Sequence, residues 1–285
     1  MPIIHARVDQ TREGILFLHI PKTGGTSIEH EFRQMGMMSY EDSSLYTPWG
    51  HFLRNSREKR IRYSLQHVTF EEGIRMTSLM NIHIGGVFTI VRNPYDRLRS
   101  EYYYMKNRLL VKDRDCSIWG ITPSWRTDAL KTFDSFVRAM YEEYKTDPHT
   151  MDNHFLPQVE FLRGITSHPL IQHTKIYYFD DEIRRGEIMA SLRRDFGDIL
   201  HWAQDRPAGL PLVHKNKFTP KSSPPPPMEA STLRIIQEWY YKDFLFFGFP
   251  LDDKSNGSTG VGPTVMMGDD KGAMETGVAE TGTGE

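Results

Sequence analysis

FLHIPKTGGTSIEHEF, residues 17–32, places an apolar run, a glycine-bearing turn and the start of a periodic helix in immediate succession. The run ILFLHI (15–20) reads as a buried strand, and Ile28, Phe32 and Met35, spaced i, i+4, i+7, read as one face of a helix. Thr26 and Glu29 have the spacing of a capping box at its start. A strand, a glycine turn and a helix N-terminus in that order make an anion site, because free backbone N–H groups and the positive end of the helix dipole point at one place. Gly24 and Gly25 let the backbone come close to the anion, Thr26 and Ser27 add hydroxyls, and Lys22 adds a mobile positive charge. Phosphate is the expected ligand. The pattern differs from the nucleotide-triphosphatase loop GxxxxGK[ST]: Lys22 precedes the glycine pair, and no acidic metal partner follows the next strand, which demotes a kinase or NTPase.

Working outward, GGVFTIV (85–91) and KIYYF (175–179) read as two further strands. Helical spacing marks Leu98, Tyr102 and Met105 behind Pro94, then Phe133 to Tyr144, Ile188 to Phe196, and Leu233 to Phe244 as one last helix. Alternating strands and helices predict an α/β fold of three layers, a central parallel sheet with helices on both faces. SSPPPP (222–227) predicts a stiff extended connector into the last helix.

The second polar cluster is VRNPYDRLRS (91–100), where Arg92 ends a strand, Pro94 opens a helix and Ser100 lies near the second turn. A guanidinium and a hydroxyl so placed can converge on one phosphate. Arg97 is expected to support that contact, and Arg99 to be solvated.

The chain has 285 residues and a net charge of −2, but the charge is uneven. Residues 252–285 have no aromatic residue, no Leu and no Ile, and carry seven acidic against two basic side chains. Such a segment cannot bury enough apolar surface to offset its ordering entropy and is expected to be disordered. The preceding 251 residues carry 33 basic and 30 acidic side chains, a net of +3. That balance argues against nucleic acid or an anionic membrane as partner, and leaves room for a small, highly charged ligand. Cys116 is the single cysteine, so no intrachain disulfide and no cysteine-rich zinc site is possible. No apolar run approaches the ~18 residues of a membrane span.

With both phosphate motifs in place, the chain resembles the sulfotransferases that use 3′-phosphoadenosine 5′-phosphosulfate, in particular the carbohydrate branch that includes the heparan and chondroitin sulfotransferases. PKTGGTS (21–27) is similar to the loop that takes the donor's 5′-phosphosulfate in that family, and Arg92 to Ser100 meets the family pattern R-x-P-x-x-R-x-x-S for its 3′-phosphate. DNHFLPQVEFL (152–162), KIYYFDDE (175–182), HKNK (214–217) and DFLFFGF (243–249) extend the likeness. The resemblance implies a sulfotransferase domain over 1–251, a donor site at Lys22, Thr23, Gly24, Gly25, Thr26, Ser27, Arg92 and Ser100, and no metal. The acceptor it implies is a carbohydrate or other hydroxyl-bearing molecule, neutral or anionic.

Sulfuryl transfer needs charge stabilisation on the leaving oxygen and a base for the acceptor hydroxyl. Lys22 fits the first role. His67, in SLQHVTFEEG, is the favoured base, with His154, Glu71 and Glu72 as rivals. RNSREKRIR (54–62) is either a solvated basic face or a docking strip for an anionic acceptor, and Trp49, Trp119 and Trp125 either stack on sugars or pack in the core. A non-catalytic nucleotide- or glycan-binding protein and a phosphate-loop kinase remain as alternative functions. A cytoplasmic location is favoured, or the Golgi lumen if an anchor precedes the chain.

Overall fold

The computed structural model describes residues 3–5, 13–38, 65–79, 81–111, 128–179, 184–200 and 228–251. The basic strip 54–62, Trp49, Trp119, Trp125, residues 214–217, the proline run and the segment 252–285 lie outside them.

Four strands form one sheet, β1 (Ile3–His5), β2 (Glu13–Leu18), β3 (His83–Val91) and β4 (Thr174–Tyr178), side by side in that order. The β2–β3 and β3–β4 pairs are parallel, with Leu18 opposite Thr89 and Val91 opposite Tyr178. β1 pairs antiparallel with β2, so the sheet is mostly rather than wholly parallel, and a three-residue edge strand adds to the three expected from sequence.

Side chains alternate across the sheet, and helices cover both faces. Ile15, Phe17, Phe88 and Ile90 face α1 (Gly25–Gln34) and α5 (Arg184–Phe196) through Ile28, Phe32, Ile188, Leu192 and Phe196. Leu16, Leu18, Val87 and Val91 face α2 (Phe70–Leu79), the short turns around Phe161 and Ile165, and Phe247 of α7 (Tyr241–Phe247). A third apolar cluster joins α3 (Pro94–Val111) to α4 (Phe133–Thr146) and α6 (Ala230–Trp239) through Tyr102, Phe136, Phe155 and Trp239.

One local expectation is corrected. The Leu233–Phe244 stripe is two helices, because the backbone turns at Tyr240 (φ −104, ψ 22), where α6 ends and α7 begins. The break lets Tyr240 donate from its hydroxyl to the Phe155 carbonyl and brings Asp243 inward. Asp243 accepts the backbone N–H groups of Gln158 and Val159, and burial pushes its carboxyl up to about 6 despite those donors. Gln158 in turn bonds both N–H and C=O of Arg92, so a chain of polar contacts runs from the last helix to the end of β3.

Candidate functional site

β2, β3 and β4 point the same way, so their C-terminal ends open onto one edge, the usual place for a ligand site in such sheets. The turn after β2 leaves that edge with two left-handed residues, Lys22 (φ 67) and Gly24 (φ 87). Gly24 is also the N-cap of α1, without any side-chain cap, so the Thr26–Glu29 capping box does not form. Thr26 is exposed, and Glu29 is buried and engaged elsewhere.

The arginines of the second motif bind this turn by its main chain. Arg92 donates to the Lys22 carbonyl at 3.2 Å, and Arg97 Nε to the Pro21 carbonyl at 3.0 Å. In a trans peptide the N–H points opposite to the C=O, so the N–H groups of Lys22 and Thr23 are turned away from the arginines. Arg97 is 2% exposed and also donates to the carbonyls of Leu156 and His154 at 3.0 and 2.9 Å; it organises backbone rather than supporting a phosphate contact directly. Arg99 is buried and pairs with Asp96 at 3.3 Å, not solvated as expected. Arg92 also lies 5.1 Å from the Phe179 ring centroid, and Ser100 is half-buried on α3. Thr23 spends its hydroxyl inward, on the Ile20 carbonyl at 2.8 Å.

Close packing fixes the glycine pair. A Cβ on Gly25 would lie 2.4 Å from His19 Nε2, and one on Gly24 would lie 2.4 Å from the Phe179 ring. His19 is buried and tied to Glu29, so it has no room to retreat. Gly25→Ala is expected to destabilise the protein by ~1–3 kcal/mol, read as a lower urea midpoint. An unchanged midpoint would show that His19 is free to move.

Above this turn lie three histidines. The ring centroid of His67 is 5.2 Å from that of His19 and 5.0 Å from that of His154, both edge-to-face. Each imidazole has its Nδ1 against a carboxylate: His19 on Glu29 at 2.5 Å, His67 on Asp152 at 2.9 Å, His154 on Glu101 at 2.9 Å. Burial holds His19 and His154 below the ordinary histidine range, more than their carboxylates raise them. Burial opposes ionisation of Glu29, yet His19, Gln66 and Arg33 bring its carboxyl down to about 2. Burial likewise opposes Glu101, and His154, Lys22 and Arg97 still leave it lowered.

Lys22 is connected to this cluster through Tyr104. Its ammonium sits 3.9 Å from the centre of the Tyr104 ring, which stacks on His154 at 6.2 Å. The structure thus brings Lys22, His67 and His154 onto one wall. It does not bring Glu71 or Glu72 there: Glu71 is exposed and lies beside Gly164, and Glu72 accepts the Thr69 N–H and hydroxyl at the start of α2. Ligand atoms of His67, Asp152 and His154 lie within 4.8 Å of one another, a grouping that the sequence did not suggest. The carboxylates of Glu29, Glu101 and Asp152, with His19 and Gln66, are the site residues that sequence reasoning missed. His19 carried the one local signal, a polar ring at the end of an apolar strand and directly before the glycine turn.

No helix among the described residues is long and apolar enough to cross a membrane. No curated protein and no solved structure matches the chain. The model of the sulfotransferase family matches residues 5–250, a span that takes in the glycine turn, the arginine segment and all three histidines. By that match, the chain belongs to the sulfotransferase family.

Proposed function

We propose that the protein moves a sulfuryl group from 3′-phosphoadenosine 5′-phosphosulfate to a hydroxyl of a carbohydrate. The observation that carries this reading is the shared wall: Lys22 beside Tyr104, Tyr104 on His154, and His154 against His67, next to a glycine turn whose carbonyls are drawn off by arginines.

In this reading the turn 21–27 and the first turn of α1 are the phosphate-binding loop for the 5′-phosphosulfate. The first N–H groups of a helix have no intrahelical acceptor and suit an anion. Gly24, Gly25, Thr26 and Ser27 supply close backbone and a hydroxyl rim, with Thr23 contributing main chain. Arg92 and Ser100 take the 3′-phosphate. Lys22 leaves the Tyr104 ring to neutralise charge on the bridging oxygen as the sulfur–oxygen bond to the donor phosphate breaks. His67 accepts the proton of the acceptor hydroxyl as the new oxygen–sulfur bond forms. The reading puts the catalytic unit in residues 1–251, with 252–285 as an appended segment.

The test is transfer of labelled sulfate from the donor into a panel of glycans, with products identified by mass. His67→Ala is expected to lower turnover by ~10²–10⁴-fold. Arg92→Ala should mainly weaken binding of 3′-phosphoadenosine 5′-phosphate. Tight binding of that nucleotide with no product on any acceptor would favour a non-catalytic binding protein, and Mg²⁺-dependent ATP hydrolysis would favour a kinase.

A further inference from the structure

Met151, Asp152 and Asn153 are three consecutive non-glycine residues with left-handed backbone, at φ 51, 61 and 62. Asn and Asp tolerate that region better than most residues, whereas Met151 has no such local compensation, so the turn is strained. Met151 and Asn153 are buried, so the surrounding fold holds the turn in place.

The turn serves His67. Asp152 presents two oxygens to His67 Nδ1, its carboxylate Oδ2 at 2.9 Å and its own main-chain carbonyl at 3.1 Å. The next residue, Asn153, donates from Nδ2 to the His67 carbonyl at 2.7 Å, and its Oδ1 lies 2.8 Å from His149 Nδ1. One strained turn therefore grips both the ring and the main chain of His67. A carbonyl alone would satisfy the ring; the turn delivers a negative charge as well.

Resting on the reading of His67 as base, we propose that Asp152 is a positioning residue for transfer: it fixes the His67 tautomer with the proton on Nδ1 and stabilises the imidazolium formed when Nε2 takes the acceptor's proton. Neither a carboxylate nor a carbonyl can donate, so the two oxygens facing Nδ1 assign the ring proton to that atom. Nε2 is then the lone-pair nitrogen. In the step, the acceptor oxygen bonds to sulfur, the bond from sulfur to the donor's bridging oxygen breaks, and the acceptor's proton moves to Nε2. The Nδ1 proton stays on the ring, its bond to Asp152 becomes charge-assisted, and Asp152 stays ionised. Asp152 differs here from Glu29 and Glu101: its side chain is 23% exposed against 2% and 1%, so it can serve a ring whose charge changes during turnover.

The test uses the full chain. In ¹⁵N spectra of the parent protein, with His67 assigned by its loss in His67→Ala, neutral His67 is expected to carry its proton on Nδ1. Asp152→Asn should lower kcat by about 10–100-fold, with acceptor KM and nucleotide affinity within about twofold of the parent. Asp152→Glu should recover part of kcat. Parental kcat in Asp152→Asn, or a proton on Nε2 in the parent spectrum, would overturn the proposal. The spectrum decides the matter even if the variant fails to fold. Full activity in His67→Ala sinks the base reading itself, whereas an inactive His67→Ala beside a fully active Asp152→Asn sinks the role of Asp152 alone.

Discussion

Lys22→Ala is expected to lose at least ~10²–10³-fold in turnover at saturating donor while melting close to the parent protein. The loss follows from chemistry: the leaving phosphate gains negative charge as sulfur departs, and Lys22 is the ammonium that the turn after β2 carries. The small effect on stability follows from position. Lys22 is half-buried, and its contact with Tyr104 is worth ~0.5–1 kcal/mol at a site of this exposure. Alanine also keeps the left-handed backbone at the strain that lysine already bears. The measurement is an initial rate of labelled-sulfate transfer, paired with a titration by 3′-phosphoadenosine 5′-phosphate. Undiminished turnover in Lys22→Ala would remove the lysine from the mechanism.

Arg97→Ala is expected to act in the opposite sense, as a folding defect on the order of 5 kcal/mol, seen as a large fall in urea midpoint or in soluble yield. Removing the side chain strands three buried carbonyls, those of Pro21, His154 and Leu156, which lie in two separate stretches of chain. Each unsatisfied acceptor costs ~1–3 kcal/mol, and the cavity left by a residue at 2% exposure adds to that. An Arg97→Ala protein that melts with the parent and loses only nucleotide affinity would show that this guanidinium serves the ligand and not the backbone.

The contrast between these two residues shows how far sequence reading reaches. The strand, turn and helix around Lys22 are legible because they rest on local rules: an apolar run, glycines at a close approach, and a helical period. β1 is not legible, since three residues carry no periodicity and acquire strand character only by pairing with β2. The false capping box has the same origin. Thr26 and Glu29 fit the local pattern, but His19, Gln66 and Arg33 surround Glu29 in the folded chain and outcompete the helix end for its carboxylate. Arg97 and Arg99 lie two residues apart on one helix, and the expectation that Arg99 is solvated fails because both side chains are buried, Arg97 on carbonyls across the gap that no spacing rule encodes. His67 is proposed on chemistry and resemblance. Its partners Asp152 and Asn153 are not legible, because a left-handed turn gives little sign of itself in sequence beyond adjacent Asp and Asn.

The grip of Arg92 and Arg97 on the carbonyls of Lys22 and Pro21 separates two properties of the turn that are often specified together. Carbonyl oxygens belong to every residue type, so two guanidinium groups set the path of the chain at Pro21 and Lys22 from outside, while the glycine pair that follows is fixed by its packing on Phe179 and His19. At Thr26 and Ser27 the shape of the turn is therefore insulated from its side-chain chemistry. Replacements at Thr26 or Ser27 are expected to change the chemistry of the turn without redrawing it, whereas a change at Arg97, on a different helix, would redraw it while leaving every side chain of the turn in place.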